Sequence, residues 1–265
     1  MRAGFVQFSP ELGEIDRNIE RATGLIEGSE ADLLVLPELF NTGYFFSSRE
    51  QVDSLAEKIP DGKTTRALLE ISRRKRTWVA AGLAEKSPEG IFNSAVLVSP
   101  GGDVFTYRKV HLFFEEKLWF TPGDLGFKTI DTGFCRVGLM VCFDWFFPES
   151  ARTLALQGSD VICHCANLVL PYCQAAMVTR CLENRVFAIT ANRTGEDRAG
   201  ERVLKFTGMS QITGPGGDIL CRADAYSAQT GISEIDVAAA RKKKINEYND
   251  LFLDRRPEFY SLCQK

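Results

Sequence analysis

The stretch VGLMVCFDWFFPES, residues 137–150, joins a strand-like apolar run to a helix start, with a thiol between them. The apolar run ends in Cys142, and the acid Asp144 follows two residues later. Pro148 and Glu149 then indicate the first turn of a helix, because proline is favoured at that position. Strand ends before helices are where α/β sheets place their ligands. We therefore predict a functional thiol at a strand end, with Asp144 capping the turn or the helix.

Short apolar runs alternate with amphipathic stretches on both sides of this segment. RAGFVQFS, residues 2–9, predicts a strand, and residues 15–29 predict a helix with Ile19, Ala22 and Ile26 on one face. Residues 91–109 predict a hairpin that turns at Pro-Gly-Gly. Further strands are predicted at residues 32–38, 77–85, 135–143, 159–167, 189–195, 206–223 and 232–237, and further helices at 64–76, 148–158 and 174–186. This alternation indicates a layered α/β domain, and the hairpin indicates a mixed sheet.

Length and charge narrow the functional class. The chain has 265 residues and a net charge of -3, which suits one large domain or two small ones. The nearly balanced charge gives no reason to expect a nucleic-acid or anionic-membrane partner. The N-terminus lacks the pattern of a signal peptide, and no apolar run approaches the roughly 18 residues that a membrane helix needs. We therefore expect a cytoplasmic protein.

The cysteines predict free thiols rather than disulfides or a metal site. Eight are present, at positions 135, 142, 163, 165, 173, 181, 221 and 263. Without a secretory signal they are expected to be reduced. Cys163-His164-Cys165 lies inside an apolar run, where alternate residues of a strand point the same way. The only other histidine is His111, so no second pair stands at zinc-ligand spacing and a buried strand is favoured.

A nucleophilic cysteine requires a base for its proton and donors for the developing oxyanion. Histidine, the usual base, is nearly absent from this chain. Glu38 follows an apolar strand, and Lys109 lies at the end of the predicted hairpin. A helix N-terminus or a cation beside Cys142 would favour its thiolate. Alone, each residue has an ordinary interpretation: a solvated acid, a surface lysine and a small buried hydrophobe.

Together these segments resemble the nitrilase superfamily of carbon–nitrogen hydrolases. The resemblance rests on PELFNTGY (37–44), YRKVHLFFEEKLWFTPGD (107–124) and GLMVCFDWFFPESAR (138–152), with RCLENRVFAITANRTG (180–195) and FTGMSQITGPGGDIL (206–220) as further matches. It extends over essentially the whole chain. The sequence is similar to the short archaeal and bacterial members, the aliphatic nitrilases and amidases.

The resemblance implies a cysteine-dependent mechanism that forms a covalent thioester. Glu38 would be the general base, and Cys142 would attack the carbonyl or nitrile carbon. Lys109, together with the backbone N–H of Phe143, would stabilise the negative charge.

A second glutamate of the family lies in an E-x-x-x-F-x-x-G pattern. This pattern fits Glu116, Phe120 and Gly123, which selects Glu116 rather than Glu115. Glu116 would orient the substrate nitrogen and hold Lys109.

The pocket is expected to be tight and apolar. The candidate substrate-binding residues are Tyr44, Phe113, Trp119, Trp145 and Asn167. Residues 168–170 offer no charge for a charged substrate tail, and Arg193 is the one candidate cation. We therefore expect a small, mostly uncharged aliphatic amide or nitrile as substrate.

The resemblance also implies the architecture and the assembly. We expect a four-layer αββα sandwich with mixed sheets and a single domain over residues 1–265. No metal and no organic cofactor are expected. Two subunits would meet through helices near 150–158 and 174–186, giving a homodimer or a higher homo-oligomer. The aromatic-rich segment of about 240–265 would pack at that interface.

Several alternatives remain at this point. Nitrilases and amidases use the same residues, and an N-carbamoyl amine or omega-amide hydrolase would share the fold. A thiol redox or sensing protein would need a resolving cysteine, for which Cys173 and Cys181 are candidates. A catalytically inactive scaffold would show a broken set of site residues, whereas the sequence contains the complete set.

Overall fold

Two six-stranded β-sheets face each other in the computed structural model, which describes residues 1–260. The first sheet contains β1 (Arg2–Gln7), β2 (Leu33–Val35), β3 (Trp78–Ser87), β4 (Gly90–Val98), β5 (Val104–Arg108) and β14 (Gln229–Glu234). Its strand order is β14-β1-β2-β3-β4-β5. The central strands β1, β2 and β3 are parallel, and the outer pairs are antiparallel.

The second sheet repeats this arrangement. It contains β6 (Thr129–Asp131), β7 (Arg136–Val141), β8 (Val161–Cys165), β9 (Phe187–Ala191), β12 (Gln211–Thr213) and β13 (Ile219–Arg222), in the order β13-β12-β9-β8-β7-β6. Strands β7, β8 and β9 are parallel, so their carboxyl ends share one edge. In their register, Met140, His164 and Thr190 lie side by side. A separate hairpin consists of β10 (Glu196–Ala199) and β11 (Arg202–Lys205).

Helices cover the outer faces of both sheets. The helices of residues 1–260 are α1 (Ile15–Glu27), α2 (Arg49–Leu55), α3 (Lys63–Lys75), α4 (Glu116–Trp119), α5 (Pro148–Leu156), α6 (Cys173–Asn184) and α7 (Val237–Arg241), with 3₁₀ turns at Cys142–Phe146 and Pro257–Phe259. Helices α1 and α3 pack on the first sheet, and α6, with α5 beside it, packs on the second. The layers are therefore helix, sheet, sheet and helix, which confirms the expected αββα sandwich with mixed sheets.

Alternating side chains of the strands build two separate layers of core. In β2, Leu33 and Val35 face the second sheet, whereas Leu34 packs with Ile26 of α1 and Leu68 of α3. This alternation follows from the two-residue period of a strand. Buried apolar area of this kind stabilises folds by about 25 cal/mol per Å².

The sequence patterns missed the shortest elements. Helices α2 and α4 and the β10–β11 hairpin span too few residues for a periodic signal to stand out. The strand expected at 135–143 also ends earlier, at Val141. Cys142 leaves the strand because its backbone is left-handed, with φ 39°. The thiol of Cys142 therefore lies on a turn rather than on the strand itself.

Between residues 1 and 260, no helix has both the length and the apolar character required to cross a membrane. In the C-terminal segment, Phe252 packs against the core and beneath Lys243, whereas Leu253 and Phe259 are exposed. Residues 261–265, including Cys263, lie outside the described part of the chain, so the expected interface role of 240–265 stays a prediction.

Candidate active site

The turn that carries Cys142 is held by the buried carboxylate of Asp144. Asp144 Oδ2 accepts hydrogen bonds from the Val141 amide at 2.9 Å and the Tyr107 hydroxyl at 2.7 Å. Its Oδ1 lies 2.8 Å from Nδ1 of His111. The helix α5 begins separately, after Phe147 at its N-cap. Asp144 therefore caps the cysteine turn, which is the first of the two roles that the sequence suggested.

Glu38 lies three residues beyond β2 and is completely buried. It sits directly against β3, where a Cβ at Gly82 would lie only 2.5 Å from the Glu38 Cα. Glycine at position 82 is thus required for the close approach of the two backbones. Asn93 of β4 donates a hydrogen bond of 2.7 Å to Glu38 Oε1. Glu38 Oε2 is buried and has no hydrogen-bond partner within residues 1–260.

Lys109 links the two carboxylates of the site. It follows the last residue of β5, and its side chain is fully buried. Its Nζ donates to Glu38 Oε1 at 2.7 Å and to Glu116 Oε1 at 2.8 Å. It also lies 2.7 Å from Glu116 Oε2, so three carboxylate oxygens surround an ammonium that has three donors. The positive charge of Lys109 is therefore fixed between Glu38 and Glu116.

Glu116 and Glu115 have different environments although they are neighbours. Glu116, at the start of α4, is buried and also accepts a 2.6 Å bond from the Tyr44 hydroxyl. Glu115 points outward and forms an ion pair of 2.8 Å with Arg202. Of the two glutamates, Glu116 is the one that contacts Lys109.

The end of the E-x-x-x-F-x-x-G pattern has a packing explanation. The Gly123 amide donates a 2.8 Å bond to the Lys109 carbonyl, and a Cβ at Gly123 would overlap the Arg108 carbonyl. Phe120 is buried under the same segment. The glycine therefore lets the chain after α4 pack against the backbone that carries Lys109.

Burial dominates the electrostatics of these groups. Loss of solvent raises the pKa of Glu38 to about 7, against the opposing effect of the Lys109 charge. For Lys109, burial alone would lower the pKa, but the carboxylates of Glu116 and Glu38 outweigh it and the pKa is raised.

The pKa of Cys142 changes in the direction opposite to that expected from a nearby helix start and cation. Burial raises the pKa of its thiol well above the usual value, and the Glu38 charge raises it further, whereas Lys109 opposes both. The thiol is therefore protonated at neutral pH. Such a thiol becomes a nucleophile only when a base removes its proton, and Glu38 is the carboxylate with a free oxygen.

The cavity at Cys142 is small and uncharged. It is lined by Phe113, Cys142, Phe143, Trp145, Asn167, Leu168, Val169 and Leu170. Its volume is about 20 Å³, far below the range of about 300–1,000 Å³ usual for ligand pockets. Both polar atoms of the Asn167 side chain are buried and have no partner within residues 1–260. A small ligand whose polar group both donates and accepts a hydrogen bond would satisfy both atoms.

The remaining residues expected in the pocket occupy other places. Trp119 packs beside the cluster of Leu39 and Phe46 and does not line this cavity. Tyr44 packs beside the same cluster and points its hydroxyl at Glu116. Tyr44 therefore acts on the carboxylates rather than on the wall of the cavity.

Arg193 does not offer the free cation that the sequence suggested. It is completely buried, and its guanidinium forms two bonds of 2.8 Å with the carboxylate of Asp197 on β10. Asp197 also accepts from the amides of Tyr44 and Phe45, each at 3.2 Å. The charge of Arg193 is thus already paired within the fold. This ion pair joins the hairpin to the segment that carries Tyr44.

The Cys163-His164-Cys165 segment is a buried strand, as the sequence favoured. All five residues of β8 are buried. His164 lies 2.9 Å from the Cys142 carbonyl oxygen and 3.2 Å from the Thr190 hydroxyl. The contacts of His164 with Cys142 and of Asn93 with Glu38 were not predicted from the sequence, because the partners are distant in the chain. The sparse histidine content was the one signal that could have drawn attention to His164.

Comparison with known proteins identifies a matching family and similar sequences. The family model described as carbon-nitrogen hydrolase matches residues 2–244. A nitrilase of Pyrococcus abyssi is 49% identical over 263 residues, covering 98% of this chain and 99% of its own.

Two solved structures show the same fold. A carbon-nitrogen hydrolase from Helicobacter pylori G27 has a TM-score of 0.89 at 26% identity, covering 98% of this chain and 97% of its own. A glutamate-to-glutamine mutant of the amidase from Nesterenkonia sp. AN1 has a TM-score of 0.78 at 26% identity, covering 98% and 95%. That structure shows covalent addition of the acetamide moiety of fluoroacetamide at the active-site cysteine.

Proposed function

The chain belongs to the carbon–nitrogen hydrolase family, and from that premise we propose that it hydrolyses small, uncharged aliphatic nitriles or amides through a thioester on Cys142. The observation that carries the proposal is the buried cluster of Glu38, Lys109 and Glu116 beside a protonated thiol. A base, a cation and a soft nucleophile are the groups that acyl transfer requires without histidine.

The first step is attack of Cys142 on the substrate carbon. Glu38 Oε2 takes the thiol proton as the C–S bond forms, and the π electrons move onto the substrate oxygen or nitrogen. The positive charge of Lys109 and the amide of Phe143 stabilise the resulting negative charge. Phe143 is the second residue of the 3₁₀ turn Cys142–Phe146, and the first N–H groups of a helix have no partner within it, which suits the amide of Phe143 to this purpose.

Collapse of an amide adduct breaks the C–N bond. Glu38 returns its proton to the leaving nitrogen, ammonia departs, and an acyl thioester remains on Cys142. Glu116 contacts Lys109 and is suited to orient the leaving nitrogen. A water molecule, deprotonated by Glu38, then attacks the thioester and releases the carboxylic acid and the free thiol.

A nitrile requires one more water molecule. Addition of the thiol gives a thioimidate, hydration of which gives a tetrahedral adduct with nitrogen still attached. Loss of ammonia from that adduct yields the same thioester. The two substrate classes therefore share every residue of the site, and the similarity to a nitrilase and to an amidase supports both.

The preference for a small, uncharged acyl group is supported by the cavity lining, which contains no charged side chain. N-carbamoyl amino acids and omega-amides carry a carboxylate that would need a cation. Arg193 is paired with Asp197, so the observations favour the uncharged substrate. Asn167 can bind one polar group of that substrate.

A thiol redox function has less support. Cys173 and Cys181, the candidate resolving cysteines, are both fully buried on α6, and burial raises the pKa of each thiol. Raised pKa values disfavour the thiolates that disulfide exchange uses.

We extend the proposal to the assembly and the compartment. Leu156 at the end of α5 and Leu182 on α6 are large apolar side chains exposed at 43% and 49%, which suits a homodimer in which these helices meet. One domain spanning residues 1–265 would form each subunit. The seven described cysteines are all free, which suits the cytoplasm.

Ammonia release tests the proposed reaction. Wild type and Cys142→Ala are compared on matched series of small aliphatic nitriles and amides. We expect release by wild type on at least one series and none by the variant. Turnover of nitriles alone would identify a nitrilase, and turnover of amides would identify an amidase. An active Cys142→Ala enzyme would rule out the thioester.

A further inference from the structure

His164 is a buried histidine that the proposed reaction does not use. It lies at the centre of β8 and is completely inaccessible to solvent. Its Nε2 is 2.9 Å from the Cys142 carbonyl oxygen, and its Nδ1 is 3.2 Å from the Thr190 hydroxyl oxygen. A carbonyl oxygen only accepts, so Nε2 carries the proton, and Nδ1 accepts from Thr190. Burial lowers the pKa of His164 to about 4, which keeps the ring neutral and this tautomer in place at neutral pH.

The carbonyl that His164 binds belongs to a strained residue. Cys142 has φ 39°, a left-handed conformation that costs a non-glycine residue of order 1–3 kcal/mol. Such a conformation persists only where the surroundings hold it. On one side, Asp144 binds the amide of Val141. On the other side, His164 binds the carbonyl of Cys142.

The same peptide group contains the proposed oxyanion donor. The carbonyl of Cys142 and the N–H of Phe143 belong to one planar trans peptide, in which they point in opposite directions. A hydrogen bond that fixes the carbonyl therefore fixes the direction of the N–H. Hydrogen bonds in a chain also polarise one another, so a bonded carbonyl makes its N–H a stronger donor.

We propose that His164 is a positioning residue for the oxyanion site: its Nε2–H holds the Cys142 carbonyl, and the Phe143 N–H is thereby aimed at the substrate oxygen or nitrogen. No proton is transferred to or from His164 in this role. The proposal deepens the proposed function, because it rests on a tetrahedral intermediate at Cys142.

Two substitutions of His164 test the hydrogen bonds of the two ring nitrogen atoms separately. In His164→Gln, the amide nitrogen reaches about as far as Nε2 and can still donate to Cys142. In His164→Asn, the amide reaches only as far as Nδ1, so the contact with Thr190 can remain while the donor to Cys142 is lost. We expect His164→Asn to lower kcat about 10- to 100-fold with KM within about 2-fold of wild type, because oxyanion donors act mainly on the transition state. We expect His164→Gln to recover most of the loss.

A second readout reports the oxyanion site without any substrate turnover. Small aliphatic aldehydes add to a thiol to give a hemithioacetal, whose oxygen occupies the oxyanion position. Iodoacetamide alkylates a thiol by displacement of iodide and does not need that position. Protection of Cys142 from iodoacetamide by aldehyde, followed by mass spectrometry, therefore measures the oxyanion site. The unprotected alkylation rate measures the thiol itself.

The expected result is weaker aldehyde protection in His164→Asn, by about the same factor as kcat, with an unchanged alkylation rate. Aldehyde protection that depends on His164 would support the proposal even if no nitrile or amide were turned over. A His164→Asn enzyme with wild-type protection would overturn it. Equal losses of alkylation and protection would also overturn it, since they would show general disruption of the turn.

Thr190→Val provides a further test if His164→Asn does not fold. This substitution keeps the shape of residue 190 but removes the hydroxyl that fixes the ring through Nδ1. We expect a smaller loss of aldehyde protection at an unchanged alkylation rate. Wild-type protection in Thr190→Val, with a folded protein, would then contradict the proposal.

Discussion

At the scale of single residues, the pKa values of Cys142 and Glu38 determine which of the two carries a proton at neutral pH. The thiol of Cys142 is protonated at neutral pH, and Glu38 has a pKa of about 7. Both shifts come first from burial, which disfavours the charged form of an acid. The thiol is therefore the weaker acid of the two, and in the proposed mechanism its activation depends on the ionised form of Glu38.

This protonation state predicts the acidic limb of the pH profile. Glu38 accepts a proton only when ionised, so kcat/KM should fall about tenfold per pH unit below a pH of about 7 and level off above it. The Asn93 hydrogen bond lowers the pKa of Glu38, so in Asn93→Ala the limb should move to higher pH. A wild-type profile that stays flat down to pH 5 would contradict the assignment of Glu38 as base.

The two adjacent glutamates provide a matched pair for mutagenesis. Glu116→Gln removes a charge that lies 2.7 Å from Lys109 Nζ, and we expect kcat to fall at least about 100-fold. Glu115→Gln removes only a partly exposed ion pair with Arg202, and we expect kcat within about 2-fold of wild type. Steady-state ammonia release measures both. Equal losses in the two variants would show that Glu116 has no special role.

At the scale of elements, close contacts between segments place the reactive groups. Strands β2, β5 and β7 each end one to three residues before a residue of the site. Their loops converge only because small residues leave room, as Gly82 does for Glu38. The hairpin β10–β11 adds a buried ion pair between Arg193 and Asp197.

Gly82→Ala should disturb the site through the backbone. The new methyl group would overlap the Glu38 backbone, so we expect a loss of stability of about 1–3 kcal/mol and a lower kcat. Gly24→Ala is the control, because it lies on the exposed face of α1 with nothing near its Cβ. Alanine there should stabilise the helix by about 1 kcal/mol. Urea unfolding measures both changes, and unchanged stability in Gly82→Ala would contradict the proposed packing.

Asp197→Asn should destabilise the protein by about 3–5 kcal/mol, because it leaves the buried guanidinium of Arg193 without a counter-charge. Glu196→Gln is the control, because Glu196 precedes Asp197 in the chain and forms only an exposed ion pair with Arg198. It should change the free energy of unfolding by less than about 1 kcal/mol. The free energy of unfolding in urea is compared for the two variants. A loss of less than about 1 kcal/mol in Asp197→Asn would show that the ion pair is not important for the fold.

At the scale of the whole molecule, two mixed sheets are packed so that both contribute to one site. Glu38 and Lys109 extend from the first sheet, and Cys142 extends from the second. Sliding one sheet against the other would separate Glu38 from Cys142, so the core between the sheets also preserves the proposed site.

The proposed dimer is the prediction at this scale. Wild type should scatter light as a particle of about twice the 29.5 kDa chain mass or a higher multiple. Leu182→Lys, which places a charge on the exposed apolar face of α6, should shift it to the monomer. Phe134→Lys, at an exposed position between β6 and β7, should leave the mass unchanged. A wild-type mass of one chain at micromolar concentration would rule out the dimer.

The sequence alone predicted most strands and helices, because the side-chain period along the chain reports which residues are buried. It also selected Cys142, Glu38, Lys109 and Glu116, since their motifs are local and resemble those of a known family. These features depend on residues that are close together in the chain.

Only the tertiary structure decided the pairing of Arg193 with Asp197, the contact of His164 with Cys142 and the raised pKa of the thiol. Only the tertiary structure, likewise, showed that Asn93 contacts Glu38 and that Lys109 contacts both Glu38 and Glu116. Most of these join segments that are far apart in the chain, and the pKa shifts depend on how completely each group is removed from water. Local sequence patterns do not contain that information, because burial is a property of the folded molecule.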